Sequence, residues 1–165
     1  MVHKTLFIMT LSLLFTTLGQ FAYAADPDLL SLTRDADFQL FAPSLRGMDW
    51  KLDIPQPSPY TPGEQKIAFT RFSYFDKSGN DYLLGIEQRT AEEYYTTSSA
   101  NNASNNNGEP VRWNSTEAQF RAWADREDNG GFLRWIQNQT YNELSSVVLS
   151  KKQMIDIAKS IKSIR

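Results

Sequence analysis

Cysteine is absent from the chain, and its single histidine, His3, lies close to the first residue. Residues 25–165 therefore have no side chain for a disulfide, a thiolate nucleophile, a histidine-dependent triad or a zinc site built from Cys and His. The motifs G-x-S-x-G, S-x-x-K, G-x-x-x-x-G-K and G-x-G-x-x-G are also missing. These absences exclude the commonest hydrolase and nucleotide-binding classes.

Concentrated positive charge is another feature that the chain lacks. Its 17 Lys and Arg residues are outnumbered by 19 Asp and Glu, which gives a net charge of −2. Nucleic acids and anionic membranes attract basic surfaces, so neither is expected as the main partner. After residue 24 the sequence has no long apolar run, and we expect no membrane insertion of residues 25–165.

The first 24 residues have the layout of a secretory signal peptide. Lys4 supplies a positive charge, residues 6–18 are largely apolar, and Ala22 and Ala24 are small residues at the expected cleavage positions. The apolar run is shorter than the roughly 20 residues that span a bilayer. We therefore expect cleavage near Ala24 and a secreted or extracytoplasmic protein.

Residues 25–165 are of a length typical of one domain, and their pattern predicts mainly strands. Helical turns are predicted for 26–36, extended segments for 38–41 and 50–52, and a hairpin for 67–75 and 82–88, with Gly79 in its turn. Further strands are predicted at 111–113, 117–124, 132–137 and 141–145. A short helix is the alternative for 117–124, because three alanines lie there.

The C-terminal segment predicts an amphipathic helix over residues 151–164. Ser150 and Gln153 have the spacing of a capping box, and Leu149 and Met154 have that of a hydrophobic staple. An apolar stripe follows at Met154, Ile157, Ala158, Ile161 and Ile164. The expected fold is thus α+β, an antiparallel sheet with this helix packed on one face.

An Asn-rich segment, residues 97–108, has no apolar residue larger than alanine and no charge. Such composition predicts a flexible loop within the domain. Tyr94 and Tyr95 precede the loop and Trp113 follows it, so these three are the aromatics that we expect to be exposed and able to bind a ligand. Core packing is the alternative use of such rings.

Carboxylates are the remaining candidates for chemistry. Asp35 and Asp37, Glu92 and Glu93, and a group near residue 125 are close in sequence, but catalysis needs two carboxyls facing each other across a cleft. We therefore expect solvated surface charge, no catalytic residue and no cofactor. A weak calcium site is the residual possibility at Asp125, Glu127 and Asn129.

Two stretches, together with the turn at residues 76–80, are similar to a bacterial family of exported domains of unknown function. The first runs from Phe38 to Trp50 and contains Pro43-Ser44-Leu45 and Gly47, and the second covers residues 133–161. The family occurs in lipoproteins and in extracytoplasmic parts of anti-sigma-factor-like proteins. It has no established active site, and this chain departs from it at Arg46 and in the Asn-rich insert.

The resemblance implies a secreted, non-catalytic binding or regulatory domain of the bacterial cell envelope, and we expect a monomer. Its partner would be an unknown protein or glycan. The alternative is a carboxylate-dependent hydrolase acting on glycan or cell-wall polymer, and two carboxylates facing each other in a cleft would favour it. A third hypothesis is a structural or interaction protein that recruits its partner through a sheet edge or through the loop flanked by Tyr94, Tyr95 and Trp113.

Overall fold

The computed structural model describes residues 27–45, 47–56, 63, 66–92, 108–123 and 129–164. In chain order, its elements are α1 (Pro27–Asp35), β1 (Phe41–Ala42), β2 (Lys51–Gln56), β3 (Phe69–Phe75), β4 (Tyr82–Thr90), β5 (Glu109–Trp113), β6 (Thr116–Ala122), β7 (Gly131–Gln137), β8 (Thr140–Ser146), α2 (Lys151–Ser160) and β9 (Lys162–Ser163). The predicted signal peptide and residues 97–107 of the Asn-rich loop lie outside the described residues.

Seven strands form one antiparallel sheet in the order β2-β3-β4-β8-β7-β6-β5. The order divides into two meanders, β2 to β4 and β5 to β8, which meet where β4 pairs with β8. Strands β2 and β5 are the sheet edges. Pro55 and Pro110 lie in these two strands, and proline is tolerated at a sheet edge because its missing N–H can lie on the side that has no neighbouring strand.

One face of this sheet, the inner face, carries the hydrophobic core. Helix α2 packs against β7 and β8, and α1 contributes Leu29 and Leu32 to the same buried cluster. The sheet side chains in that cluster alternate along their strands and include Phe72, Tyr74, Leu84, Ile86, Ala118, Phe120, Leu133, Trp135 and Leu144. The expected α+β fold, with the C-terminal helix on one face of an antiparallel sheet, is confirmed.

The start of α2 matches its sequence signals. The Ser150 hydroxyl accepts a hydrogen bond from the Gln153 backbone N–H, and the Gln153 side chain accepts one from the Ser150 backbone N–H. Leu149 and Met154 are both buried, as the staple requires. The residues that the stripe places inside, Ile157 and Ile161, are 6% exposed each.

The predicted end of this helix was wrong. The helix ends at Ser160, and Ile161 is already extended, with φ −64° and ψ 131°. The chain leaves the helix because Lys162–Ser163 pair with β1 and the Ile164 N–H donates to the Leu40 carbonyl. The predicted strand at 38–41 is correspondingly displaced to Phe41–Ala42, the two residues that β9 pairs with.

Strand β1 is attached to the main sheet by a buried side-chain amide. Gln88, on β4, is fully buried; its Oε1 accepts from the Phe41 N–H at 3.0 Å and its Nε2 donates to the Phe41 carbonyl at 2.9 Å. The same Nε2 donates to Asn142 Oδ1 on β8. Gln88 thereby acts like one residue of an additional strand.

Two hairpin turns contain residues at positive φ. Gly79, in the β3–β4 turn, has φ 85°, and the Asp76 carboxylate there accepts hydrogen bonds from the N–H groups of residues 78–81. The side-chain bond from Ser78 and these backbone bonds hold the pKa of Asp76 far below its ordinary value of 3.8. The β7–β8 turn places Asn138 at φ 48° and Gln139 at φ 62°.

Candidate functional site

The outer face of the sheet, opposite α2, carries polar side chains from all of its central strands. Strand register brings Arg71 on β3, Glu87 on β4, Glu143 on β8 and Arg134 on β7 side by side. We call these four residues the charged row. The row continues to Gln119 on β6, which pairs with Arg134. Among the described elements, both helices and the β1–β9 pair contribute to the core on the other face.

The centre of the charged row contains two carboxylates directly opposite each other. Glu87 and Glu143 are a cross-strand pair, for which Cβ atoms lie about 4.5–5.5 Å apart. Their side chains are 24% and 13% exposed, so solvent screens their repulsion only partly. Burial first, and the charge of Glu143 second, raise the pKa of Glu87 above its ordinary value of 4.5, although the arginines oppose this shift.

Of the two carboxylates, Glu143 has the closer hydrogen-bond partners. Its Oε2 accepts hydrogen bonds from Arg134 Nε at 2.6 Å and from the Tyr141 hydroxyl at 2.8 Å. Glu87 has a looser ion pair with Arg71, at 3.4 Å between Oε1 and Nη1. The two carboxylates therefore occupy different environments, and Glu143 has the shorter charge-assisted hydrogen bonds.

Arg89 covers the aromatic ring beside this pair. Its guanidinium carbon lies 5.1 Å from the centroid of the Tyr141 ring, which is a cation–π arrangement. The Arg89 Nε is buried and has no hydrogen-bond partner among the described residues. Tyr141 is only 2% exposed, so its ring acts as a support for the row and not as an open stacking surface.

A groove of about 680 Å³ extends from the row toward the β5 edge. Its lining takes consecutive residues from β5, β6 and β7, so the sheet itself forms the floor. The outward-pointing members are Pro110, Arg112, Glu117, Gln119, Arg134 and Ile136. Tyr141 also lines the groove, which joins it to the charged row. The volume lies within the range of small-molecule sites.

Of the three aromatic residues predicted to bind a ligand, the structure describes only Trp113. Tyr94 and Tyr95 lie outside the described residues. Trp113 is half-buried and packs edge-to-face on Trp135, with ring centroids 5.8 Å apart, beside the core. It does not line the groove. A ligand-binding role for these three residues stays a prediction.

The structure describes only some of the other candidate residues. In the calcium candidate, Asn129 is exposed, while Asp125 and Glu127 lie outside the described residues. Within the described ranges no group of three or more Asp or Glu side chains has the arrangement of a metal site. The Asp35 carboxylate accepts from the Gly63 N–H, and Asp37 pairs with Lys66, so these two acids have separate partners.

The sequence did not predict the charged row, because its central pair, Glu87 and Glu143, lies on strands that are far apart in the chain. One part of it had a signal: a two-residue turn at Asn138-Gln139 places Arg134 opposite Glu143. No sequence signal indicates that Glu87 lies opposite Glu143. Their position depends on the pairing of β4 with β8, and 49 residues separate these strands.

Comparison of the chain with protein-family models, with curated proteins and with solved structures finds no match. The resemblance to the exported family therefore stays a prediction. No helix in the described part of the chain is long and apolar enough to cross a membrane. The fold and the outer face are consequently the basis for a functional proposal.

Proposed function

We propose that the protein is an exported, non-catalytic binding or regulatory domain of the bacterial cell envelope, acting as a monomer through the outer face of its sheet. The signal-like residues 1–24 and the family resemblance support the location. The observation that carries the binding role is the 680 Å³ groove on the sheet face opposite α2. A ligand in this groove would bind to the outer face of the sheet, while the inner face carries the hydrophobic core.

A pull-down from envelope extract tests this function. The full chain is expressed and purified from its exported fraction. It is compared with the double variant Arg112→Ala/Gln119→Ala, which removes a guanidinium and an amide group from the groove. The matched control is Arg121→Ala, an exposed residue on the same strand and face outside the lining. The proposal predicts a captured envelope component that the double variant loses and the control retains. Equal capture by all three proteins would contradict it.

A version that lacks residues 97–107 tests the Asn-rich loop in the same experiment. Retention of every partner by the shortened protein would show that the loop is not the recognition element. Loss of the partner, with an unchanged circular dichroism spectrum, would move the binding site from the groove to the loop and contradict the groove proposal.

A second candidate function is a carboxylate-dependent hydrolase acting on glycan or cell-wall polymer. The facing of Glu87 and Glu143 favours it, because a retaining glycosidase uses two carboxyls about 5–5.5 Å apart, one kept protonated and one ionised. Glu87, with its raised pKa, would be the acid, and Glu143 the nucleophile. Both residues are engaged by arginines and neither lines the groove, which is why binding is the leading proposal.

Turnover of the cell-wall polymer distinguishes the two candidates. The hydrolase predicts release of reducing ends by the full chain and a loss of at least a hundredfold in Glu143→Gln, since a nucleophile is then removed. Arg121→Ala, which leaves both carboxylates and the groove lining intact, is the control. Absence of reducing-end release, or release that survives in Glu143→Gln, would contradict the hydrolase.

A further inference from the structure

The charges that line the groove are paired within the protein. Arg112 Nη2 lies 2.9 Å from Glu117 Oε1, and Arg134 Nε lies 2.6 Å from Glu143 Oε2. A phosphate or carboxylate ligand would have to compete with a protein carboxylate at each guanidinium group. The groove thus has no strong preference for an anion, and a neutral ligand fits its charge balance better.

Gln119 supplies the groove with a side chain that can both donate and accept hydrogen bonds. Gln119 lies near the middle, between Pro110 and Arg134 in the register, and its amide has no side-chain partner among the described residues. Ser115, in the turn between β5 and β6, also belongs to the lining, whereas the Gln137 and Asn138 amides bond to Trp135 and Gln39. Each hydroxyl of a sugar likewise donates and accepts, so amides and hydroxyls match neighbouring sugar hydroxyls.

Apolar surface alternates with these polar groups. Pro110 on β5 and Ile136 on β7 both line the groove, on strands that flank Gln119 of β6. Sugar rings have this same alternation, because their C–H faces are apolar while their edges carry hydroxyls. A peptide added to the β5 edge fits less well, since Pro110 in that strand has no N–H.

We propose that the groove binds a neutral oligosaccharide, with Gln119 and Arg112 as its main hydrogen-bonding residues and Pro110 and Ile136 as apolar contacts. This inference rests on the proposed binding function and names the class of ligand. The sugar chain lies across β5, β6 and β7, and its neutrality distinguishes it from the anionic polymers of an envelope. The Arg112–Glu117 pair is exposed, at 76% and 75%, and can present both groups to hydroxyls.

Isothermal titration calorimetry tests the proposal on the full chain purified from its exported fraction. The probes are short neutral oligosaccharides of glucose and of N-acetylglucosamine, an oligosaccharide of uronic acid, and inorganic phosphate. We expect saturable binding of a neutral probe and weaker or no binding of the two anionic ones. Tighter binding of uronate or phosphate, or no binding of any neutral probe at millimolar concentration, would overturn the proposal.

Two variants locate the binding. Gln119→Leu removes the central amide and should weaken binding of the neutral probe by about three- to tenfold, the effect of one lost hydrogen bond. Arg121→Gln, on the same strand and face but outside the lining, should change it by less than about twofold, as for a surface substitution. Unchanged binding by Gln119→Leu would overturn the assignment to the groove.

The calorimetry and the pull-down together distinguish a wrong ligand class from a wrong binding function. If groove-dependent capture from extract persists while no neutral oligosaccharide binds, the ligand class is wrong and the binding function stands. If neither experiment detects a ligand, both proposals are wrong. Circular dichroism spectra of each variant, compared with the unsubstituted chain, show whether a loss of binding reflects a loss of folding.

Discussion

At the scale of single residues, Glu87 faces a second glutamate across two paired strands. Burial and that neighbouring charge raise the pKa of Glu87, so ionising it costs more in the folded chain than in the unfolded one. The contribution of protonated Glu87 to the stability of the fold is therefore fully present below its pKa in the unfolded chain, near 4.5. This contribution is lost as the pH rises through its higher pKa in the folded chain.

We therefore expect Glu87→Gln to raise the melting temperature at neutral pH, because the amide cannot ionise. The gain in melting temperature should shrink toward zero below pH 4.5, where Glu87 is protonated and is therefore as uncharged as the glutamine that replaces it. Thermal unfolding across this pH range measures the effect, and Glu117→Gln, at an exposed position, is the control. A gain that is larger in acid than at neutral pH would refute the assigned direction of the shift.

Gln88 is the residue on which the attachment of β1 depends most. Gln88→Leu leaves the Phe41 N–H and carbonyl without their partner in the core, and should destabilise the fold by about 3 kcal/mol and lower the melting temperature by roughly 6–12 °C. Gln119→Leu, at an exposed position, should change stability by less than about 0.5 kcal/mol. Equal melting temperatures for the two variants would contradict the role of Gln88.

At the scale of elements, the β7–β8 turn keeps two non-glycine residues at positive φ, a region that costs roughly 1–2 kcal/mol per residue for most side chains. Gln139→Gly should relieve this strain and stabilise the protein by about 0.5–1 kcal/mol after the added entropy of the unfolded glycine. Gln137→Gly, two residues earlier in β7, should destabilise it by about 1 kcal/mol. Urea unfolding measures both, and a destabilising Gln139→Gly would contradict the turn conformation.

Elements with local signals were predicted from the sequence. The capping box at Ser150 and the β3–β4 hairpin depend on residues a few positions apart, and both are present. Residues 117–124 were predicted as a strand in preference to a helix, and β6 covers Thr116–Ala122. The end of α2 was not predictable in the same way, because it is set by pairing with β1, about 120 residues earlier in the chain.

At the scale of the whole molecule, the sequence predicts the fold class but not the functional surface. Alternation along each strand indicates which residues share a face, whereas the order of strands decides which of them become neighbours. Arg71 and Glu87 are neighbours through the β3–β4 hairpin, whereas Glu87 and Glu143 become neighbours only because the two meanders meet at β4 and β8. The groove lies on three consecutive strands of one meander, β5, β6 and β7, and the outer face that it occupies is set by their register.

The most direct test of the account is to map the ligand-contact surface on the folded chain by NMR. Amide ¹⁵N–¹H spectra of the full protein are recorded while a neutral oligosaccharide is added to saturation. Shift changes should concentrate on the β5–β7 outer face around Gln119 and spare the α2 residues Met154 and Ile157. Changes centred on α2, or a spectrum that does not change at all, would contradict it.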